Sequence, residues 1–366
     1  MSETGDGGWG FSSSGRQRLI LEEYTERVLG RLGEVEGMCK VAEGHPELPL
    51  SVVARVSRAG KEESSRVMDE FRANLALLQH VFPHSSGRPK DADGGRGSEE
   101  GAYFSVDRVL DGVWRDWSED GWREIGCVAY SMLLSSLPPS LLGSSEDSSS
   151  TEGKSKRRVL VPGAGTCRLA HMVADAVDGG VEVVAVDTSG PMLDVYDAMV
   201  GQRGDAVDGT IFYPGSEGRE GVKIKAGGDR PCNLELVCGS FGRPMWEDPD
   251  EAVRYDVVVT CAVIDAIPEG PLEVAMGVAK MLKPGGVWLS LGPLAYHDAV
   301  RGNPDALCLD WDTLAGVLGD DEWCEMTQTR LIRAHLVPGL SYLPGASRVY
   351  DMGFLQVEKR RSATVR

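Results

Sequence analysis

Two glycines that follow an apolar run set the first chemical constraint. In VLVPGAGTCRLAHMVADAV (159–177) a hydrophobic strand runs into Gly163-Ala164-Gly165 and then into a helical pattern. A turn of this kind brings backbone N–H groups and a helix N-terminus up to a ligand. Where a stricter G-x-G-x-G turn has its third glycine, this chain has Cys167. The turn is therefore less open than one built for a dinucleotide pyrophosphate, while the nucleoside of a smaller cofactor stays compatible. Asp187 closes the next apolar run, VEVVAVD. It is placed to accept hydrogen bonds from both hydroxyls of a ribose, or else to cap the following helix. After a third run, LELVCG, Ser240 and Phe241 could meet an adenine, one by a hydrogen bond and the other by stacking.

The elements that must hold these groups follow from the hydrophobic pattern. From Arg157 onward, short β-branched runs alternate with helical stretches: RRVLVP, VEVVAVD, LELVCG, YDVVVTCAVI and GGVWLSL are five strands in order. Such alternation predicts βαβ units and an α/β fold of the Rossmann-like type, a mostly parallel sheet with helices on both faces. Beyond Leu291, a helix at WDTLAGVLG and the runs QTRLIRAHLV and RVYDMGFLQVEK complete a seven-stranded sheet. Pro284-Gly285-Gly286 makes the tight turn into the fifth strand. Residues 1–100 are expected to be a disordered head and a helical N-terminal extension, with helices over 16–35 and roughly 51–80, and 101–366 the catalytic domain. A polar insertion at about 201–233 either shapes a substrate pocket or is a surface loop.

Composition narrows the partners. Among 366 residues, 38 Lys and Arg against 56 Asp and Glu give a formal charge of -18, which opposes phosphate backbones and anionic membrane surfaces. No nucleic acid or membrane partner is expected. The eight cysteines form neither a C-x-x-C pair nor a disulfide framework, so free thiols and no metal site are expected. The N-terminus lacks the apolar core of a secretory signal, and no stretch of eighteen apolar residues occurs, so the expected location is cytoplasmic, with the nucleus open.

Strand, GxG, acid, strand, acid-bearing loop and then LKPGG is an order that resembles class I S-adenosylmethionine methyltransferases, and it places methyl transfer ahead of hydride transfer. Four stretches read together, VWRDWSEDG (113–121), VLVPGAGTCRLA (159–170), VVVTCAVIDA (257–266) and LKPGGVWLSLGPLAYH (282–297), resemble the carnosine N-methyltransferase family. RDWSEDG and GPLAYH are the specific pieces, since the methyltransferase fold requires neither. The resemblance implies S-adenosyl-L-methionine as cofactor. It implies that Arg115 reaches the cofactor's carboxylate, Gly163 and Gly165 form the turn, Asp187 holds the ribose, and Cys261 lines the methionine side. For the acceptor it points to Asp265, His297 and a C-terminal tyrosine, Tyr350, with Tyr342 as second candidate. The implied acceptor is the imidazole of a carnosine-like dipeptide, or of a histidine in a protein. A different small acceptor, a degenerate cofactor-binding scaffold and a homodimer stay open. The chain departs from the family's pattern at Gly112, where a glutamine is expected, at Cys167, and at Ser240, where an acid precedes the phenylalanine.

Chemically, an unprotonated imidazole nitrogen must attack the sulfonium methyl in line. The other ring nitrogen then needs an acceptor for its proton, and a carboxylate such as Asp265 suits that task. His297 and Tyr350 would fix the ring's orientation.

Overall fold

Side chains on successive strand residues point to opposite faces of a sheet, so a β-branched run with both parities apolar must be covered on both sides. The computed structural model describes residues 13–44, 50–81, 106–142, 156–201, 207–213, 221–247, 255–296, 298–318, 326–334 and 352–361. In it, β1 (Arg157–Pro162), β2 (Val181–Asp187), β5 (Leu234–Cys238), β6 (Tyr255–Cys261), β7 (Leu282–Pro293), β8 (Met326–Ala334) and β9 (Met352–Lys359) form one seven-stranded sheet of order β5-β2-β1-β6-β7-β9-β8. The first five are parallel, and β9 runs antiparallel to both of its neighbours.

Parity divides the core into two layers. Val159, Val161, Val183, Ala185, Val257 and Val259 share one hydrophobic cluster, whereas Leu160, Val184, Val186 and Val258 share the other. The first layer is covered by α3 (Val106–Trp117), α5 (Cys127–Ser135), α7 (Arg168–Ala176) and α8 (Gly190–Met199), through Val113, Leu133, Val173 and Val195. The second is covered by α10 (Pro271–Met281) and α12 (Trp311–Leu318), through Val274, Val278 and Leu314.

The expected turn at LKPGG lies inside β7 as a bulge. Tyr255 pairs with Leu282 and Val257 with Val287, which leaves residues 283–286 looped out around a Pro284-Gly285 turn. Strand pairing therefore begins before the turn, at Leu282, three residues ahead of Gly285.

The N-terminal helices are longer than their periodic stretches, spanning α1 (Ser13–Gly44) and α2 (Leu50–Val81). They pack on each other through Tyr24 stacked on Phe71 at 5.6 Å and through Arg31 bonded to Glu63 at 2.8 Å. Tyr24, Leu77, Leu78 and Val81 join the same buried cluster as β1. The insertion is in part a folded element: β3 (Ile211–Phe212) pairs antiparallel with β4 (Val222–Lys223), with Phe212 and Ile224 buried. Asn74 of α2 grips it, taking the Tyr213 N–H at 2.7 Å and donating to the Tyr213 carbonyl at 2.9 Å as a neighbouring strand would.

Among the described residues no helix is long and apolar enough to cross a membrane, and no group of side chains could hold a metal ion. Asn74→Ala should lower stability by about 1–3 kcal/mol, because it strands two backbone groups, and should speed amide exchange around Tyr213. An unchanged denaturation midpoint with unchanged exchange would count against the grip.

Candidate cofactor and acceptor site

Strand order reverses about β1: the chain passes from β1 to β2 on one side and later to β6 on the other. In open parallel sheets, ligands bind beyond the carboxyl ends of the strands at such a reversal. Backbone strain marks the same edge. Among the described residues the non-glycine positions with positive φ are Cys167 (59°), Ala262 (53°) and Tyr296 (48°). They lie in the segments after β1, β6 and β7. Each such conformation costs on the order of 1–3 kcal/mol, and persists only where surrounding bonds impose it. At Ala262 that bond is N–H to the Leu291 carbonyl, 2.7 Å.

The RDWSEDG segment is built around this edge. Ser118 ends α3, donates its hydroxyl back to the Trp114 carbonyl at 2.6 Å, and accepts the Gly121 N–H at 3.0 Å, capping the short helix Glu119–Gly121. A Cβ at Gly121 would land on the Trp114 carbonyl oxygen, so glycine is a steric requirement there. The Trp117 indole donates to the Thr166 carbonyl at 3.2 Å, joining the segment to the glycine turn. The Trp117 carbonyl accepts from Lys225 N–H at 2.7 Å, joining it to the insertion. The Arg115 guanidinium lies against the turn, with its Nη2 3.3 Å from where a Cβ on Gly165 would stand. It holds Asp116 by two bonds of 2.7 Å each. Burial would raise the Asp116 carboxyl, but Arg115 and two hydroxyl donors override it and hold it below the usual carboxylate range. Sequence reading missed Asp116, whose type alone does not distinguish it from the solvated acids that follow it.

Gly163 and Gly165 both adopt positive φ, 61° and 54°. The Gly165 N–H donates to one oxygen of Asp187 at 2.7 Å and the Ser189 N–H to the other at 2.8 Å, so the turn and the acid are one unit. Burial raises the Asp187 carboxyl, with those two bonds and Arg115 opposing. Cys261 ends β6. Burial pushes its thiol up to about 12, with Arg115 opposing, so it is neutral and not an activated nucleophile. Ser240 is exposed, whereas Phe241 is buried and meets Trp246 edge-on at 5.5 Å, a core packing rather than an open stacking face.

Of the candidate acceptor residues, Asp265 is 2% exposed and accepts the Ala295 N–H at 3.0 Å. The loop after β6 is thus bonded to Ala295 of GPLAYH, two residues beyond β7. Tyr296 in that run donates its hydroxyl to the Leu309 carbonyl. His297, Tyr350 and Tyr342 lie outside the described residues.

A family model described as carnosine N-methyltransferase matches residues 221–339. The carnosine N-methyltransferase of Mus musculus is 27% identical over 218 residues, 56% of this chain and 50% of that protein. The one of Dictyostelium discoideum is 40% identical over 81 residues, 22% of this chain and 16% of that protein. Over these segments the chain is similar to the carnosine N-methyltransferase family. It spans about half the length, or less, of the family members it matches. Among solved structures, that of the CurJ carbon methyltransferase covers 83% of this chain and 71% of its own at 15% identity, with a TM-score of 0.41, too distant to bear on function. The family match includes the Asp265 loop and GPLAYH, while RDWSEDG and the glycine turn precede it.

Two glycine substitutions separate steric requirement from helix propensity. Gly121→Ala meets backbone and should destabilise by about 1–3 kcal/mol or prevent folding. Gly37→Ala on α1 meets nothing within 4 Å and should stabilise by roughly 0.5–1 kcal/mol. Thermal melts of equal sign for the two variants would contradict the account of RDWSEDG.

Proposed function

We propose that this protein is an S-adenosylmethionine-dependent N-methyltransferase that transfers a methyl group to an imidazole nitrogen of a histidine-containing dipeptide such as carnosine. The observation that carries the reading is the joining of Arg115, the Gly163–Gly165 turn and Asp187 at the reversal point of the sheet, in a chain whose residues 221–339 match the carnosine N-methyltransferase family model.

These residues fit such a cofactor. A guanidinium beside the turn suits an amino-acid carboxylate, and Asp187 suits ribose hydroxyls. The positive-φ turn lets backbone approach the nucleoside, and the neutral Cys261 thiol lines the wall between them. When bound, the cofactor supplies an activated methyl group on a sulfonium. Asp265 takes the proton-bearing nitrogen of the acceptor ring as a hydrogen-bond partner and offsets the positive charge that grows on the ring. Its bond from the Ala295 N–H fixes one carboxylate oxygen, so its orientation is set before substrate arrives. Arg115 and Asp187 orient the donor, and His297 and Tyr350 orient the ring.

Mass spectrometry of carnosine incubated with the protein and S-adenosylmethionine should show one added methyl. Free histidine and a histidine-containing peptide, as parallel acceptors, separate the dipeptide from the protein-histidine alternative. Asp265→Asn should lower kcat by roughly 100-fold or more and leave cofactor affinity within about twofold. Wild-type turnover by that variant would remove Asp265 from the mechanism.

Cofactor affinity should also depend on pH. Asp187 must be ionised to accept both ribose hydroxyls, and burial raises its pKa. Affinity should therefore be complete at neutral pH and be lost as pH falls, beginning above the range of an ordinary aspartate. Asp187→Asn should bind weakly with a flat profile, and calorimetry across pH distinguishes the two.

A further inference from the structure

The Asp116 carboxylate is a buried junction that the proposed reaction does not touch. Its side chain is 1% exposed, and three donors from three elements converge on it. Arg115 at the end of α3 gives Nε to one oxygen and Nη2 to the other, both at 2.7 Å. The Tyr130 hydroxyl, from α5, donates at 2.6 Å. The Thr166 hydroxyl donates from the glycine turn itself, one residue beyond Gly165.

Thr166 is held from every side. Its carbonyl takes the Trp117 indole N–H at 3.2 Å. Its methyl rests beside Gly112, where a Cβ would stand only 2.9 Å away, and Met192 closes the same spot at 3.4 Å. With the methyl seated there, the hydroxyl faces Asp116. The absence of a side chain at 112 and the presence of a β-branched hydroxyl at 166 are thus complementary.

We propose that Asp116, Thr166 and Tyr130 form a positioning device that aims the Arg115 guanidinium across the glycine turn, so that the turn and the cation meet the donor's amino-acid end as one rigid unit. Arginine is a long side chain with many rotamers, and the bidentate bond to Asp116 fixes the plane of its fork. Thr166 and Tyr130 fix Asp116 in turn. Thr166 is the member that couples arginine to turn, because it belongs to the turn. These three are positioning residues: they act through Arg115.

This inference rests on the reading of Arg115 as the arm that meets the cofactor's carboxylate, and the test separates the two. Binding of S-adenosylhomocysteine is measured by calorimetry for the wild type, Thr166→Val, Thr166→Ser, Tyr130→Phe, Arg115→Lys and the Thr166→Val/Arg115→Lys double variant, with a thermal melt of each. Thr166→Val removes a hydrogen bond to a charged group and should weaken binding about tenfold. Thr166→Ser, which keeps the hydroxyl, should bind within about twofold of the wild type. Tyr130→Phe, remote from the ligand, should weaken binding by a smaller factor. Arg115→Lys should weaken binding, and Thr166→Val should add no further loss in that background.

Equal affinity of Thr166→Val and wild type overturns the proposal. So does an undiminished Thr166→Val loss beside Arg115→Lys, since the threonine would then act independently of the arginine. A lowered melting temperature for Thr166→Val with unchanged affinity assigns it a structural role and overturns the proposal as well. If the wild type itself fails to bind S-adenosylhomocysteine, the cofactor reading falls first and the positioning role falls with it.

Discussion

A carboxylate moved out of water loses several kcal/mol of hydration, and it stays ionised in a protein interior only where charge and hydrogen bonds replace that hydration. Asp116 meets the condition through a bidentate arginine and two hydroxyls, and the cost of burying it ties together pieces of chain that are far apart in sequence. Helix α3, helix α5 and the turn after β1 cannot separate without exposing an unpaired charge. Removing one partner of such a group is more damaging than replacing the whole set with apolar residues. The junction therefore fixes geometry more than it adds stability, and the plane of the Arg115 guanidinium is part of what it fixes.

The same edge of the sheet carries the backbone strain. Cys167, Ala262 and Tyr296 hold left-handed conformations in the segments after β1, β6 and β7, and the bond that imposes the one at Ala262 also ties the segment after β6 to β7. Ala262 is fixed to Leu291, and Asp265 to Ala295. The AVIDA loop and the GPLAYH run are thus one bonded pair rather than two independent loops. The first strained residue, Cys167, stands where a third glycine would relieve the turn, and its side chain is fully buried at the N-cap of α7.

The N-terminal helices and the insertion serve the same edge from outside the sheet. Asn74 treats the Tyr213 backbone as an adjacent strand, and the hairpin it grips continues into Ile224 and Lys225, which pair with Ser118 and Trp117. A line of hydrogen bonds runs from the Asn74 side chain of α2 through the hairpin backbone to RDWSEDG, the segment that holds Arg115.

Much of this was legible in the residues. The β-branched runs of both parities implied a buried, mostly parallel sheet, because such runs can be satisfied only between two layers of helices. The turn at Gly163 and Gly165 and the acid Asp187 at the end of β2 were legible because a positive-φ turn and a strand end are matters of local chemistry. The specific segments RDWSEDG and GPLAYH pointed to the family, though not to the reason for their composition. That reason is tertiary. Gly121 is needed because of the Trp114 carbonyl beneath it, and Asp116 matters because Tyr130 and Thr166 arrive from elsewhere in the chain. Phe241 illustrates the limit: its type allows stacking on a base or packing in a core, and only the arrival of Trp246 edge-on against it placed it in the core. Sequence determined what each segment must bury and how its backbone must turn, since those depend on near neighbours. Which polar groups meet depends on contacts across fourteen, fifty or more residues, and folding alone decided them.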